Sequence, residues 1–255
     1  FISFLKNKME NQNQFLKTPE SSVSKNQWIA IAIIIASVLI SGSILYTKST
    51  SSKPADNAGA GQEQGGDPQP TTSSVDIKNV KTEGSPFVGK ANAPVVIATW
   101  GDYKCSFCKK LEEDAITNIV KDYVNTGKVK IIFKSYQFLG PDSQTAGLAS
   151  MAVWEVAPNK FYDWHKTMYA KQGSGWGSKE DILALTQSLG INSNRVDNLM
   201  TSKADEYQKF IDADKAEGTA FGIRGTPGTI IGKQVISGAQ PYATFKSAID
   251  QLLSN

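Results

Sequence analysis

Hydrophobic and polar positions divide the chain into three stretches of different character. From Trp28 to Tyr46 the run WIAIAIIIASVLISGSILY carries no charge for about nineteen residues, roughly the length a helix needs to cross a bilayer core. It predicts a transmembrane anchor over 28–47, preceded by a short segment, 1–27. A cleavable signal peptide would have a shorter apolar core, about 7–15 residues, and an Ala-x-Ala-like site, for which Ser41-Gly42-Ser43 is a weak substitute. The next stretch, 48–79, is rich in Ser, Thr, Gly, Gln and Pro, as in GAGQEQGGDPQPTTSS. With almost nothing apolar to bury, it reads as a flexible linker.

From 80 to 255 the pattern becomes globular. Val95-Val96-Ile97-Ala98-Thr99-Trp100 is a continuous β-prone run, as expected of a strand buried on both faces. A helix is predicted from about Ser106, with Leu111, Ala115, Ile119 and Val120 at helical spacing and Gly127 as its stop. Val129-Lys130-Ile131-Ile132-Phe133 reads as a second strand. Strand, helix, strand is the signature of a βαβ unit with parallel strands. The stretch from about 142 to 220 reads as a helical insertion, with Ser178-Lys179-Glu180-Asp181 as a capping-box-like start and Gly190 as a stop. Two short strands, Gly228–Ile231 and Gln234–Ser237, are joined by Gly232-Lys233, a hairpin signal. A last helix is predicted to begin at Pro241 and to line up Phe245, Ile249, Leu252 and Leu253 on one face. The fold class is therefore α/β.

Charge narrows the function by exclusion. A net charge of +3 with scattered lysines leaves no footprint for nucleic acid. Lys17 and Lys25 before the apolar run nearly balance Lys48 and Lys53 after it, and Lys6 and Lys8 tip the bias toward a cytoplasmic N-terminus. Charge alone hardly orients the chain, and its orientation has to be argued from chemistry.

The chain has two cysteines and one histidine, and the cysteines form Cys105-Ser106-Phe107-Cys108. Cys105 falls between a buried strand and its helix, where free backbone N–H groups and the positive end of the helix dipole stabilise a thiolate. Cys108 lies about one turn later on the same face, so a reversible disulfide is sterically natural. A purely structural disulfide would close too small a loop to restrain much of the unfolded chain. A metal site would need two more ligands, with only His165 and carboxylates left unless two chains pooled their cysteines. No metal or organic cofactor is expected beyond the redox-active disulfide. Asp102, three residues before Cys105, is a candidate proton relay and equally a candidate cap for the following helix. Lys104 and Lys109 read first as solvated, His165 as a packing or surface residue, and Trp176 as core. At the far end, Thr226-Pro227 precedes a strand, and an X-Pro bond is the kind that adopts cis with appreciable frequency. A cis bond there would leave the Thr226 backbone free to pair with an extended peptide; an ordinary turn is the alternative.

KANAPVVIATWGDYKCSFCKKLEE, FYDWHKTMYAKQ and AFGIRGTPGTIIGKQVISGAQPYATFKSAI together resemble the DsbA-like family of thiol:disulfide oxidoreductases, over about Phe87 to Leu253. The resemblance implies a thioredoxin fold with a helical insertion, Cys105 as nucleophile, Cys108 as resolving thiol, and a cis-proline loop at Thr226–Pro227 facing them. It further implies exported proteins as clients and a membrane quinone-linked partner that reoxidises the dithiol. Many members carry Pro and often His between the cysteines; Ser106 and Phe107 stand there instead, which removes one support for the thiolate and lets these two side chains touch substrate. Disulfide formation is the first expectation. Reduction of disulfides uses the same atoms, isomerisation would ordinarily need a dimerisation module, and a peptide-binding holdase remains the non-enzymatic alternative.

Overall fold

The computed structural model describes residues 75–254 other than Ser174. The anchor expected at 28–47, the segment 1–27 and residues 48–74 of the expected linker lie outside the described residues. Among those described, no helix is long and apolar enough to cross a membrane.

A five-stranded sheet is built from β1 (Phe87–Val88), β2 (Val95–Gly101), β3 (Val129–Ser135), β4 (Gly228–Ile231) and β5 (Gln234–Ser237), in the order β1-β3-β2-β4-β5. β2 and β3 run parallel, with Val95 opposite Val129 and Gly101 opposite Ser135. The other three pairings are antiparallel. The period of two sends alternate β2 side chains to opposite faces. Val95 and Ile97 enter a large core with Ile116, Ile119, Phe161, Trp164, Phe245 and Ile249, while Ala98 and Trp100 enter a smaller one with Ile132, Ile223 and Ile230. This two-sided burial explains why β2 is apolar without alternation.

The helix after β2, here α1 (106–124), begins as an α-helix at Ser106–Leu111, passes through a π-helical turn at Glu112–Ile116 and a short α stretch at Thr117–Ile119, and ends as a second π turn at Val120–Val124. Gly127, at φ +77°, stops it as predicted. Five helices then occupy 141–220: α2 (Pro141–Val156), α3 (Phe161–Lys171), α4 (Lys179–Ser188), α5 (Ser193–Ser202) and α6 (Ala204–Ala220). The Ser178–Asp181 capping box at the start of α4 is formed in both directions. α6 approaches the sheet closely: Trp100 Nε1 donates to the Asp214 carbonyl at 2.8 Å, and a Cβ at Gly218 would lie 2.8 Å from the Trp100 ring, so only glycine fits there.

Three expectations change. Residues 75–79, expected as linker, include a 3-10 turn at Ile77–Asn79 capped by Asp76 and tied to the β4–β5 hairpin by Ile77 N–H to Gly232 O at 2.8 Å. Pro241 is the N-cap rather than the first residue of α7 (Tyr242–Leu253). Leu252, expected on the buried face of α7, is 39% exposed, whereas Phe245, Ala248 and Ile249 are buried.

Candidate active site

The C-terminal ends of β2 and β3, the start of α1 and the loop before β4 converge on the dithiol. Cys105 is the N-cap of α1, and its N–H donates to Asp102 O at 3.0 Å. Its sulfur lies 3.4 Å from the Thr226 carbonyl oxygen; the Thr226–Pro227 peptide is cis. The Thr226 hydroxyl is buried with no hydrogen-bond partner in the protein. The Cys105 thiol is thereby lowered from an ordinary 9.0 to about 5: the Cys108 thiol donates to it first, against an opposing penalty from burial, and the Thr226 hydroxyl and the N–H groups of Cys108 and Phe107 add to the lowering. The backbone donors are the free groups of a helix N-terminus.

Cys108, one turn along, is buried. Burial and the charge and hydrogen-bonding of Cys105 push its thiol far upward, although the Asp102 N–H partly offsets this. Gly101, the last residue of β2, lies beside it and leaves space for Tyr169: a Cβ there would lie 2.9 Å from Tyr169 Oη, with Cys108 Sγ at a contact distance of 3.7 Å. Both cysteines are free thiols in this structure. Pro227 is buried and lines the same recess as Cys108, while Ser106 and Phe107 face solvent, Phe107 at 60% exposure.

Asp102 does not cap α1. Its carboxylate, fully buried, accepts from Lys104 N–H at 2.8 Å on one oxygen. The other oxygen accepts from Phe138 N–H at 2.9 Å, Leu139 N–H at 3.2 Å and Ser143 Oγ at 2.7 Å. The carboxylate thus braces the β3–α2 loop against the motif. The flanking lysines are not merely solvated. Lys104 Nζ donates to the Trp176 carbonyl at 2.8 Å and pairs with Asp142 at 3.5 Å; Lys109 Nζ donates to Gln172 O at 3.3 Å and pairs with Glu113 at 3.7 Å. They fasten the motif to the insertion.

His165, expected as a packing or surface residue, is buried among Phe133, Phe161 and Tyr169 and is also part of a buried polar group. Its Nδ1 lies 2.7 Å from Tyr103 Oη and its Nε2 lies 3.6 Å from Glu112 Oε2. Tyr162 Oη donates to Glu112 Oε1 at 2.8 Å. Sequence reading passed over Glu112 and Tyr103. The signal was present: Glu112 is four residues after Cys108 and four before Ile116, inside the buried stripe of α1.

A sheet with a parallel β2–α1–β3 unit, a helix-capping thiol and a proline loop opposite it define a thioredoxin-fold dithiol protein. Residues 81–251 match the family model described as Thioredoxin, and the chain belongs to that family, among its DsbA-like thiol:disulfide oxidoreductases. It is 30% identical over 177 residues to Disulfide bond formation protein D of Bacillus subtilis, covering 67% of this chain and 78% of the relative. The oxidised crystal structure of BdbD from B. subtilis superimposes with a TM-score of 0.62 at 29% identity, over 69% of this chain and 96% of that one. The thiol-disulfide exchange protein α-DsbA2 from Wolbachia pipientis gives a TM-score of 0.60 at 28% identity, over 66% and 87%.

Proposed function

We propose that this protein is a membrane-anchored, extracytoplasmic oxidoreductase that forms disulfides in exported proteins through Cys105 and Cys108. The observation that carries this direction is the split between the two thiols. A Cys105 thiol lowered from 9.0 to about 5 favours the reduced, ionised enzyme over its disulfide, by up to roughly 100-fold at pH 7, on the order of 30–60 mV toward oxidising power once solvent screening is allowed for. A dithiol whose reduced form is so stabilised gives up its disulfide readily. The names of the relatives, disulfide bond formation protein and thiol-disulfide exchange protein, agree with that chemistry.

In the forward reaction a client thiolate attacks Cys105 Sγ of the enzyme disulfide. The Cys105–Cys108 bond breaks, a client–Cys105 bond forms, and Cys108 leaves with the electron pair and takes up a proton. A second client thiolate then attacks the mixed disulfide and expels Cys105, which departs as a stable thiolate. The client is oxidised by two electrons and the enzyme dithiol is reduced. Thr226 and Pro227 would hold the client backbone beside Cys105, with Ser106 and Phe107 touching its side chains. No cofactor beyond the disulfide takes part, and a quinone-linked membrane partner would restore it. The segment 28–47 would anchor the chain in the lipid bilayer with its N-terminus cytoplasmic.

The test is the equilibrium reduction potential against glutathione. A value near about −120 mV supports an oxidase, and one near about −270 mV assigns the opposite direction and overturns this reading. A reporter fused after Asn255 should prove extracytoplasmic; its recovery in the cytoplasm would remove the exported clients.

A further inference from the structure

The dithiol stands at the C-terminal ends of β2 and β3, and the opposite end of the sheet carries a surface that thiol exchange does not use. There the start of β2, the Gly232-Lys233 turn, the 3-10 turn at Ile77–Asn79 and the end of α7 meet around an open groove of about 410 Å³. Ile77, Pro94, Val96, Ile231, Ala248 and Leu252 supply its apolar walls. Leu252 is the residue that the helical period places on the buried face of α7 and that stands 39% exposed. It lies against Gly232, where a Cβ would be 3.2 Å from its methyl group, so it borders the groove instead of the core.

The rim of this end is basic. Lys78 and Lys233 line the groove, Lys90 follows β1 and lies over Gly127, and Lys128 precedes β3, its carbonyl accepting from Val95 N–H at 3.2 Å. All four are exposed, and among the described residues none of them forms an ion pair with a carboxylate. The acids nearby are engaged. Asp76 caps the 3-10 turn, Asp122 accepts from Tyr242 Oη, and Asp250 is held by Lys246 and Tyr123, with Lys128 acting on it only at longer range. The lysines of the dithiol end, Lys104 and Lys109, are by contrast tied to the insertion.

Unneutralised ammonium groups around an exposed apolar groove match a surface that is anionic outside and apolar within, as a bilayer is. A second copy of this chain would set lysine against lysine across the groove. The place where the described chain begins points the same way: Asp76 and Ile77 line the groove, so the polar residues 47–74 join the domain here and lead back to the apolar run that ends at Tyr46. A tether of that composition and length spans about 30 Å, which keeps this end at high effective concentration beside any bilayer holding the run.

Resting on the membrane-anchored reading above, we propose that this end of the domain docks on an anionic phospholipid surface, with lipid phosphates on Lys78, Lys90, Lys128 and Lys233 and with Leu252 and the groove against the outer acyl carbons. β2 spans about 20 Å between the two ends, so the docked domain holds Cys105 about that far above the headgroups, facing clients that arrive from the aqueous side. The attraction is screened within about 8 Å at physiological salt and is therefore reversible. In the released state the tether lets the dithiol turn to the membrane partner that reoxidises it.

The experiment uses the full chain in vesicles of phosphatidylcholine alone or with one third phosphatidylglycerol. The vesicles are floated, exposed amines are briefly acetylated, and each lysine is read by mass spectrometry. Lys78, Lys90, Lys128 and Lys233 should react at least about fivefold more slowly on the anionic vesicles, the effect of roughly one lysine at a charged leaflet. Lys110, exposed in the first turns of α1 at the dithiol end, should react equally on both. Salt at about 1 M, where screening shortens to about 3 Å, should remove the difference. Lys90→Glu combined with Lys233→Glu should restore the labelling of Lys78 and Lys128 on anionic vesicles and leave oxidation of dithiothreitol unchanged. Equal labelling of a chain that floats with both vesicles overturns the docking and leaves the anchored reading intact. Protection that is the same on both and grows with the amount of chain per vesicle assigns the face to a second copy and overturns it too. A chain that floats with neither refutes anchor and docking together, and one that floats only with phosphatidylglycerol refutes the anchor alone.

Discussion

The two sulfurs of the motif are three residues apart and live in opposite surroundings. Cys105 caps a helix, receives backbone N–H groups and faces Thr226, so its negative charge is stabilised. Cys108 is one turn further in, past the free N–H groups, packed beside Gly101 and Tyr169 where a charge is disfavoured. A single helix start produces both conditions, because only its first turn offers unpaired donors. The contrast shows why the motif works without a histidine between its cysteines and without help from Lys104 and Lys109, whose ammonium groups are bound to the insertion. The backbone and the depth of burial set the two thiols apart.

Removing the helix-capping half of this contrast should have the largest effect. Cys105→Ser should abolish exchange with a dithiol peptide, whereas Cys108→Ser should still attack and accumulate a mixed disulfide visible by mass spectrometry. Trapping of adducts on Cys108 instead would reverse the assigned roles. Next in size is the brace beneath both sulfurs. Asp102→Ala strips a buried carboxylate from Phe138 N–H, Leu139 N–H and Ser143 Oγ and should lower unfolding free energy by about 3 kcal/mol, since hydrogen bonds to a charged group are worth about 1.5–3 kcal/mol each and their loss is partly relieved by water. Urea denaturation measures it, and a loss under about 1 kcal/mol would mean that water replaces the carboxylate at little cost.

The contrast also has a pH signature. The Cys105 thiol is depressed in the folded protein, so its contribution to the stability of the reduced chain is fully present above 9.0, partial at pH 7, and lost as pH falls through about 5. After allowance for solvent at the partly open sulfur, this is about 1–2 kcal/mol at pH 7. The Cys108 thiol is raised, so its contribution is present below 9.0 and lost as pH rises beyond that. Reduced chain compared with Cys105→Ala should therefore gain stability between pH 5 and 7, and thiolate absorbance should titrate near 5. A midpoint near 9 would erase the difference between the sulfurs.

The strands and the start of α1 were legible because β2 reads as a continuous β-prone run and β3 carries Ile131-Ile132-Phe133 between its lysines, and because the hairpin at Gly232 and the capping box at Ser178 use local chemistry. β1 was not, since Phe87–Val88 is too short to show a period and is defined only by pairing with Ile131 and Ile132. Of the site, Cys105, Cys108, Thr226 and Pro227 were found from spacing and resemblance, and the structure brings them together. The role of Asp102 was illegible because three of its four partners lie 36 to 41 residues away, and the Lys104 contact with Trp176 spans 72. Glu112 and His165 could have been found: each is a polar residue on a helical stripe otherwise apolar, Leu111 and Ala115 beside one, Phe161 and Met168 beside the other. A charge placed where the period demands a hydrophobe is itself a signal.

The smallest expected effect lies on the outer face. Phe107 is 60% exposed between two buried cysteines, and Phe138 and Leu139, in the loop braced by Asp102, are 46% and 42% exposed. Large apolar side chains held in solvent gain nothing for the fold, so Phe107→Ala should change stability by no more than about 0.5 kcal/mol. If clients are gripped through such groups beside the Thr226 backbone, the same variant should raise KM for an extended dithiol peptide by roughly tenfold, equivalent to about 1.4 kcal/mol of lost contact, while oxidation of dithiothreitol, which has no side chains to grip, proceeds at the unsubstituted rate. Equal slowing with both substrates would instead place Phe107 in the chemistry of Cys105. No change with either would confine client recognition to the proline loop.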